Sequence, residues 1–215
     1  MRIINPSVEL MRDFNGADVM KFLERCGRVA YKSEDNITAD SAEKFIRSII
    51  KRGHESVLEH FSVTFKIICD RGVSHELVRH RLASYTQEST RFCNYASDKF
   101  GGELTFIRPV FWEENDADII RATCFEMWLD GLGNAEKMYK AMIEEGATPQ
   151  KARAILPNSL KTEIVMTANL REWQHFLKLR TAKDAHPQMR QIANMILDVL
   201  KEKLPVIFED LIQNE

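Results

Sequence analysis

Positions 79 to 92 carry the densest group of charged and hydrogen-bonding side chains in the sequence. They read RHRLASYTQESTRF and include three arginines, one histidine, one glutamine, one acid and four serine or threonine residues. Guanidinium groups mixed with neutral donors suit the recognition of phosphates and polar heterocycles. A solvated basic face is the alternative interpretation, but the many uncharged donors favour a local anion site.

A helix is predicted to begin near Ser74, which can cap it, and to carry the stretch SHELVRHRLAS until the chain leaves it near Ser84. Arg79 and Arg81 are two positions apart, so on a helix their side chains point to roughly opposite sides. This spacing indicates two ligands or two subunits rather than a single ligand face.

Ser89 could act as a nucleophile, but no Gly-x-Ser-x-Gly elbow surrounds it and His80 lies nine residues away. It is better interpreted as a hydroxyl or amide donor to an anion. The sequence also contains no G-x-G-x-x-G or Walker loop, so a nucleotide would have to be held by side chains.

The stretch GHESVLEHF, positions 53 to 61, contains two histidines and could suggest a metal hydrolase. The zincin pattern H-E-x-x-H puts both histidines on one helical face, whereas His54 and His60 are six positions apart. The spacing argues against this alternative, and we predict no metal site.

A third polar concentration is the stretch NLREWQHFLKLR, positions 169 to 180. Arg171 and His175 are four residues apart and share a face of the predicted helix, which Arg180 ends. Arg153, in the stretch ARAILP, adds a further guanidinium. Each of these residues alone would be interpreted as an ordinary surface side chain beside a buried stripe.

The 215 residues include 30 basic and 32 acidic side chains, for a net charge of -2. This balance argues against a general nucleic-acid or membrane-surface binder. The N-terminus contains no apolar run suited to a signal peptide, and no stretch approaches transmembrane length. We therefore expect a cytoplasmic protein with no nucleic-acid and no membrane partner.

Hydrophobic spacing predicts an α+β (α/β) chain in which long helices flank a mixed β-sheet, within one domain covering residues 1–215. Strands are expected in RIINPSVEL, which Asn5-Pro6 makes irregular, and in FSVTFKIIC and LTFIRPVF. The β-branched residues of TEIVMTANL favour a fourth strand, although its short apolar run could also be a helix segment. Helices are expected over 16–29, 171–180 and from Pro187 onward, and from Pro149 to Leu156. A further helix is expected to begin at a capping box of Asp40 and Glu43 and to end at Gly53. The pattern over 116–145 is also helical, with an interruption around Gly131 and Gly133.

These stretches together resemble the flavin-dependent thymidylate synthase family. The family is recognised by arginine-histidine-arginine, seven residues and then serine, which Arg79-His80-Arg81, LASYTQE and Ser89 match in full. The likeness continues in GHESVLEHF upstream and in RPVF, ARAILP, TANLREWQHFLKLR and AHPQMR downstream, so it covers most of the chain.

The resemblance implies conversion of dUMP to dTMP, with 5,10-methylenetetrahydrofolate as carbon donor, NADPH as reductant and FAD as the flavin. It also implies a homotetramer with a mixed sheet flanked by helices and active sites assembled from several subunits. A competing hypothesis is a non-catalytic nucleotide or RNA-binding module that uses the same arginines. The near-zero net charge and the few aromatic residues beside the motif do not favour it.

Carried over residue by residue, the resemblance implies three sets of contacts. Flavin-binding positions are Ser56, Glu59, Arg79, His80, Arg81, Thr86, Gln87, Asn169, Arg171 and His175. Substrate-binding positions are Glu76, Gln87, Ser89, Thr90, Arg91, Arg153 and Arg180, with Arg153 contributed by another subunit. His54 matches a position beside the nicotinamide or folate stacking site.

The chain departs from the family at a few of these positions. Members often have asparagine-glutamate where this chain has Thr86-Gln87, and Glu88 follows one place later, so either Gln87 or Glu88 could make the contact of the usual acid. Glu76 stands where glutamine is common near the phosphate, and His175 replaces an asparagine of some relatives.

Carbon 5 of uracil is a poor nucleophile, so the ring must be polarised before it accepts a methylene group. None of the four cysteines lies in a setting that matches a nucleophilic cysteine, and Cys93 is only the nearest to the motif. An arginine that donates to the ring carbonyl can instead stabilise developing enolate charge. Arg180 resembles the family's arginine that holds the pyrimidine ring, and we predict that it takes this catalytic role. His54 is the second predicted catalytic residue.

Overall fold

The computed structural model describes residues 1–97, 99, 101–113 and 116–211. Its strands are β1 (Arg2–Ile4), β2 (Ser7–Leu10), β3 (Ser62–Asp70), β4 (Ala83–Gln87), β5 (Thr105–Ile107) and β6 (Lys161–Asn169). Its helices are α1 (Gly16–Arg28), α2 (Ser41–Lys51), α3 (Arg71–Leu77), α4 (Ile119–Glu144), α5 (Pro149–Ala152), α6 (Leu170–Arg180), α7 (Pro187–Lys203) and α8 (Pro205–Phe208). Short 3₁₀ helices cover Val29–Tyr31, Glu34–Asn36, Glu55–His60 and Arg153–Ile155.

Over the described residues, the strands form a four-stranded sheet in the order β2-β3-β6-β4 and a two-stranded parallel sheet of β1 and β5. In the smaller sheet Arg2 pairs with Thr105 and Ile4 with Ile107. The opening strand is divided at Asn5-Pro6, as its sequence predicted. Strands and helices interleave along the chain, which confirms the predicted fold class.

The backbone contacts divide the chain into two compact units. The first unit contains Met1–Ser7, Ile67–Arg79 and Thr86–Ile164, and the second contains Val8–Lys66, His80–Tyr85 and Val165–Glu215. The prediction of a single domain stays a prediction.

The long strands β3 and β6 alternate buried and accessible side chains along their nine residues. Val63, Phe65 and Ile67 of β3 are buried, as are Ile164 and Met166 of β6. In a strand, every second side chain points to the same face of the sheet, so one face can be apolar while the other is polar. β3 was predicted from this alternation and β6 from its β-branched residues, and both strands are confirmed.

In the second unit, α6 packs against β3 through aromatic side chains. The ring centroids of Trp173 and Phe65 are 5.3 Å apart in a T-shaped arrangement, and Phe176 contacts Trp173 in the same way at 5.4 Å. The buried indole Nε1 of Trp173 donates a hydrogen bond to the carbonyl oxygen of Val63 at 3.1 Å. These contacts set the rotation of α6 about its axis, and with it the direction of its polar side chains.

The first unit has a hydrophobic cluster of its own around α4. The buried members of this cluster are Tyr95, Leu104, Phe106, Leu132, Tyr139, Ala152 and Leu160. Trp128 of α4 donates from its indole Nε1 to the hydroxyl oxygen of Ser159 at 2.9 Å. Because Ala152 and Ser159 flank the stretch that contains Arg153, these contacts hold that stretch against α4.

The prediction that a helix begins at Ser74 is wrong. The helix begins earlier because Oδ1 of Asp70 accepts a hydrogen bond from the backbone N of Val73 at 2.7 Å, which caps α3. Ser74 lies inside the helix, and its hydroxyl donates to the carbonyl oxygen of Arg71 at 2.9 Å.

The predicted continuation of this helix to Ser84 is also wrong. The helix ends at Leu77, and Ala83 already begins β4, which pairs in the larger sheet. Pairing in a sheet overrides helix propensity over so short a stretch. Arg79, His80 and Arg81 therefore lie in the connection between helix and strand, so helical spacing does not decide where they point.

The predicted interruption of the long helix at Gly131 and Gly133 does not occur. Helix α4 runs through 26 residues, and a Cβ added at either glycine would meet nothing within 4 Å. Glycine inside a helix costs only about 0.5–1 kcal/mol. The buried residues Leu132 and Tyr139 offset this cost by packing in the cluster.

Asp40 is the N-cap residue of α2, as predicted, but its side chain makes no capping hydrogen bond. The predicted capping box is therefore wrong. Ser41, the first residue of α2, bonds to groups outside the helix: its hydroxyl oxygen accepts from the backbone N of Thr38 at 2.9 Å, and the hydroxyl donates to Oε2 of Glu24 at 2.8 Å.

The predicted end of α2 at Gly53 is confirmed. Gly53 has φ of +71°, and its backbone N donates to the carbonyl oxygen of Ile50 while that of His54 donates to Ile49. This is a Schellman motif, in which the left-handed residue is most often glycine. His54 is thereby placed directly after the turn.

None of the helices in the described ranges is long and apolar enough to cross a membrane.

Two glycine substitutions should change stability in opposite directions. A Cβ at Gly16 would lie 1.9 Å from the carbonyl oxygen of Lys203, so Gly16→Ala should lower the free energy of unfolding by about 1–3 kcal/mol. Gly131 has open space around it, so Gly131→Ala should raise the free energy of unfolding by about 0.5–1 kcal/mol. Urea denaturation of both variants measures the shifts, and stabilisation by Gly16→Ala would contradict the close approach.

Candidate active site

His80 is the centre of a buried polar cluster in the second unit. It is 5% exposed, and its Nε2 accepts a hydrogen bond from Nε of Arg180, the last residue of α6, at 3.1 Å. Its Nδ1 lies 3.4 Å from Oε1 of Glu172, a buried residue in the first turn of α6. The three side chains form a chain from carboxylate through imidazole to guanidinium.

The imidazole of His80 is neutral. Burial lowers the pKa of His80, and the nearby Arg180 and His175 add to the effect, so that this pKa falls to about 4. Because an arginine side chain only donates, Nε2 of His80 must be the acceptor and the ring proton is assigned to Nδ1. Oε1 of Glu172 is the acid oxygen beside this nitrogen, 3.4 Å away.

The surroundings hold both the ring and the backbone of His80. The ring of Phe176 lies 4.9 Å away in a T-shaped contact, and the hydroxyl of Tyr85 donates to the carbonyl oxygen of His80 at 2.7 Å. Burial, together with the charge of Glu172, raises the pKa of Tyr85 to about 12, so the phenol keeps the proton that it donates.

A cavity of about 550 Å³, here called the α6 cavity, lies in the second unit and is lined in part by Glu172. Four residues predicted to bind flavin also line it: Glu59, Asn169, Arg171 and His175. Lys178 extends the polar face that Arg171 and His175 begin, since the three are spaced by four and then three positions. The structure therefore brings this predicted set together.

Two residues of the α6 cavity are held by specific bonds. Nη1 of Arg171 donates to Oε1 of Glu59 at 2.5 Å, and this hydrogen bond raises the pKa of Arg171 above its usual range. Oδ1 of Asn169 accepts from the backbone N of Glu172 at 2.9 Å and so caps α6. The cap uses the oxygen of the Asn169 side chain.

His54 and Ser56 line a different cavity of the second unit, of about 660 Å³, here called the α2 cavity. It also contains Arg28, Tyr31 and Phe45. The structure thus separates Ser56 from the four predicted flavin contacts that line the α6 cavity, and it places His54 in a cavity that also has aromatic and arginine side chains.

The first unit has a cationic cavity of about 520 Å³, here called the Thr90 cavity. Nη1 of Arg153 donates to Oγ1 of the buried Thr90 at 3.3 Å, and Arg71 and His75 of α3 line the same space. Within one chain, the cavity already combines two of the predicted phosphate contacts. The predicted contribution of Arg153 from another subunit stays a prediction.

Comparison with known proteins identifies the family. Residues 13–206 match the family model described as thymidylate synthase complementing protein. A flavin-dependent thymidylate synthase of Pyrococcus furiosus is 36% identical over 178 residues, which are 82% of this chain and 70% of the relative. Another, from Corynebacterium aurimucosum, is 34% identical over 92% of this chain and 82% of the relative. The chain belongs to the flavin-dependent thymidylate synthase family.

A solved structure shares the fold. The UMP/dUMP methylase PolB from Streptomyces cacaoi, bound with 5-Br dUMP, aligns with a TM-score of 0.78 and 24% identity over 97% of this chain and 96% of its own. At that identity the likeness supports the architecture and not the individual contacts.

The family motif continues beyond His80 into a turn and a strand. Arg79, Arg81, Thr86 and Arg91 are exposed. Ser89 accepts from the backbone N of Arg91 at 3.3 Å through its hydroxyl oxygen, which shapes the turn before Cys93. The predicted roles of these residues in binding flavin or phosphate stay predictions.

The acid and amide of the motif are bound inside the first unit. Nε2 of Gln87 donates to the hydroxyls of Ser74 at 2.9 Å and Thr162 at 3.2 Å. The two carboxylate oxygens of Glu88 accept from Tyr95 at 2.7 Å and Lys161 at 2.9 Å. Both side chains thus anchor β4 and the turn after it.

Glu76 stays a predicted substrate contact. It lies on α3, is half-buried and does not line the Thr90 cavity. His75, the residue before it, lines the Thr90 cavity instead.

Glu172, Tyr85, Arg71 and His75 were not predicted from the sequence. Glu172 lies three positions before His175 on a helix, a spacing that could have revealed it. Arg71 and His75 share a face of α3, but they were hidden by the wrong start of that helix. No sequence pattern indicates the role of Tyr85, because its hydroxyl bonds to a backbone carbonyl oxygen, which every residue has.

Potential metal-ligand atoms of His80, Glu172 and His175 all lie within 4.8 Å of one another. Arg180 donates to one of these nitrogens, so a bound cation would face a permanent positive charge. We therefore interpret these three side chains as groups that hold Arg180 in position. The absence of a metal stays a prediction.

The low pKa of His80 should make stability depend on pH. The folded chain resists protonation down to a pH of about 4, whereas the unfolded residue titrates near its ordinary value of 6.5. The contribution of His80 is therefore complete above pH 6.5 and is lost as the pH falls toward 4. Between pH 7 and 5.5 the parent protein should lose about 1 kcal/mol more unfolding free energy than His80→Gln.

Urea denaturation of the two proteins without flavin measures this difference. Glu172 is present in both, so its own titration, which burial shifts to a raised pKa, affects the comparison little. Parallel pH profiles would show that His80 is not held neutral by the fold.

Proposed function

We propose that the chain catalyses the reductive methylation of dUMP to dTMP, with FAD as the flavin, 5,10-methylenetetrahydrofolate as carbon donor and NADPH as reductant. The observation that carries the proposal is the hydrogen bond from Arg180 to a neutral, buried His80, in a chain of the flavin-dependent thymidylate synthase family. This bond positions a guanidinium without adding a second charge.

Arg180 is proposed to hold the pyrimidine. A hydrogen bond from its guanidinium to a ring carbonyl stabilises the enolate charge that develops on that oxygen as the ring is activated for attack by carbon 5. A preorganised donor of this kind contributes about 2.7–4 kcal/mol to transition-state stabilisation. The neutral His80 keeps the donor in place without weakening its field.

The cysteines support a mechanism without a cysteine nucleophile. All four are free thiols in the structure. Burial, with the adjacent charge of Asp70, raises the pKa of Cys69 far above its usual range, and burial also raises the pKa of Cys93. A thiol that holds its proton is a poor nucleophile.

The α6 cavity has groups that suit FAD. His175 and Lys178 offer polar or cationic donors for a pyrophosphate, and Arg171 can add the N–H groups that its pairing with Glu59 leaves over. The buried Oε1 of Gln174 has no hydrogen-bond partner within the described chain and can accept from an N–H group. When bound, FAD supplies the reducing equivalents that no side chain can supply. Arg79 and His80 are proposed to contact it from the motif.

The Thr90 cavity is proposed to hold the phosphate of dUMP. Arg153 and Thr90 already share a hydrogen bond there, and Arg71 and His75 add further positive or donor character. Guanidinium groups bind phosphate oxygens through paired N–H donors. Ser89 and Arg91 follow from the motif as additional contacts.

Exposed apolar side chains beside the motif support the proposed homotetramer. Leu82 is 75% exposed and Phe92 is 76% exposed. Large apolar side chains this accessible favour contact with another protein surface. His54 in the α2 cavity is proposed to act near the folate or nicotinamide.

A spectrum and an assay test the function. The purified protein, or the protein reconstituted with FAD, should show the absorption of an oxidised flavin, and it should release tritium from carbon 5 of labelled dUMP only with NADPH and methylenetetrahydrofolate. A colourless protein that neither binds FAD nor converts dUMP would overturn the proposal.

Arg180→Lys should lower kcat by about 100- to 1000-fold, because lysine retains a charge but loses the planar arrangement of donors. Steady-state turnover of dUMP measures the loss. Arg25→Lys is a matched control, since Arg25 is exposed on α1 and lines none of the three cavities described above, and it should keep the parent rate. An Arg180→Lys enzyme with the parent rate would contradict the role.

Arg153→Gln should raise KM for dUMP by about 10- to 100-fold with little change in kcat, because a phosphate contact binds ground state and transition state alike. Lys151→Gln is the matched control, since Lys151 is exposed on α5, which ends directly before Arg153, and does not line the Thr90 cavity. Initial rates over a range of dUMP concentrations measure both constants. Equal effects of the two substitutions would point to general electrostatics instead.

A further inference from the structure

Glu172 is a buried carboxyl group that the proposed chemistry has not used. It is 6% exposed and lies in the first turn of α6, while Arg180 ends the same helix. Its Oε1 lies 3.4 Å from Nδ1 of His80. Burial raises the pKa of Glu172, which shows that the fold bears a cost to keep a carboxyl group at this place.

An ordinary ion pair does not account for this contact. His80 is neutral near pH 7, so no positive imidazolium faces Glu172. What remains is a carboxylate beside the N–H of a neutral ring. A carboxylate only accepts hydrogen bonds, so it favours the tautomer in which Nδ1 carries the proton.

The tautomer of His80 decides whether Arg180 can be bound. With the proton on Nδ1, the lone pair of Nε2 accepts from Nε of Arg180, as the 3.1 Å distance requires. With the proton on Nε2, two N–H groups would face each other and Arg180 would be displaced. Without a partner at Nδ1, only the bond from Arg180 would oppose the second form.

We propose that Glu172 is a positioning residue that keeps the proton of neutral His80 on Nδ1 and thereby orients Arg180. It acts through His80 and does not itself touch the pyrimidine. The catalytic consequence rests on the proposed thymidylate synthase function, whereas the tautomer is a property of the protein alone.

Neighbouring groups hold His80 but leave this task to Glu172. Phe176 packs against the ring with carbon atoms, and Tyr85 bonds to the backbone carbonyl oxygen rather than to the ring. The ring of His175 is farther away, with centroids 6.0 Å apart. These contacts limit the position of the ring without selecting the nitrogen that carries the proton.

A double-mutant cycle tests the coupling. Glu172→Gln has nearly the same shape, but its amide can donate to Nδ1 as well as accept, so both tautomers become available. Substituting the hydrogen-bond partner of a metal-bound histidine typically costs about 10- to 100-fold in activity, and we take the same range for His80. We expect a loss of that size in kcat with KM for dUMP nearly unchanged, because the contact of Arg180 is made in the transition state.

In the Arg180→Lys background, the same Glu172→Gln substitution should change kcat by less than about twofold, because residues that act through one another are not additive. Glu24→Gln is the matched control. Glu24 is equally buried in the second unit, where it binds Arg28 at 2.7 Å. Its effect on kcat should be the same in the parent and in Arg180→Lys.

Nitrogen-15 NMR of histidine-labelled protein without flavin or substrate gives a second measurement. The His80 signals are assigned by their loss in His80→Gln. They should show the proton on Nδ1 in the parent and a mixture of tautomers in Glu172→Gln. Glu172→Asp, which keeps an acceptor on a shorter side chain, should restore most of the Nδ1 form and serves as the alternative if the glutamine variant does not fold.

The possible failures are distinguishable. Equal losses from Glu172→Gln in both backgrounds, or a His80 tautomer that Glu172→Gln leaves unchanged, would overturn the positioning role even if the parent enzyme is fully active. A parent protein with no dUMP methylation would overturn the proposed function, while the NMR measurement would still decide whether Glu172 sets the tautomer.

Discussion

A neutral imidazole at His80 is the condition on which the candidate site depends. Arg180 can donate to Nε2 only while that nitrogen carries no proton, and burial keeps it so. A protonated His80 would place two positive charges about one hydrogen-bond length apart. The low polarity of the surrounding core therefore helps to control the direction of an arginine.

Helix α6 connects this electrostatic condition to packing. Asn169 caps the helix, and Trp173 and Phe176 fix its rotation in the second unit. The polar residues of the helix then have little freedom in where they lie: Arg171, Glu172, His175 and Arg180 project from a helix whose apolar side is buried. A loss of aromatic packing would disturb the site as directly as a loss of its charged groups.

Local charge, and not total charge, determines what the chain can bind. The sequence is nearly neutral overall, with a net charge of -2. Yet the Thr90 cavity combines Arg71 and Arg153 in the first unit, while acids near the motif are engaged elsewhere: Glu88 accepts from Tyr95 and Lys161. Such internal pairing leaves arginines available for an anion without making the whole surface basic.

The sequence by itself determined the long strands, most helices and the residue types of the site, because these depend on patterns within a few positions. The α3 bounds were missed because the Asp70 cap and the pairing of β4 outweigh local propensity. Only the tertiary structure decided that His80 meets Arg180, 100 positions later, and that Ser56 lies in a different cavity from Glu59. Burial also depends on the tertiary structure, and burial keeps His80 neutral and encloses Glu172 beside it.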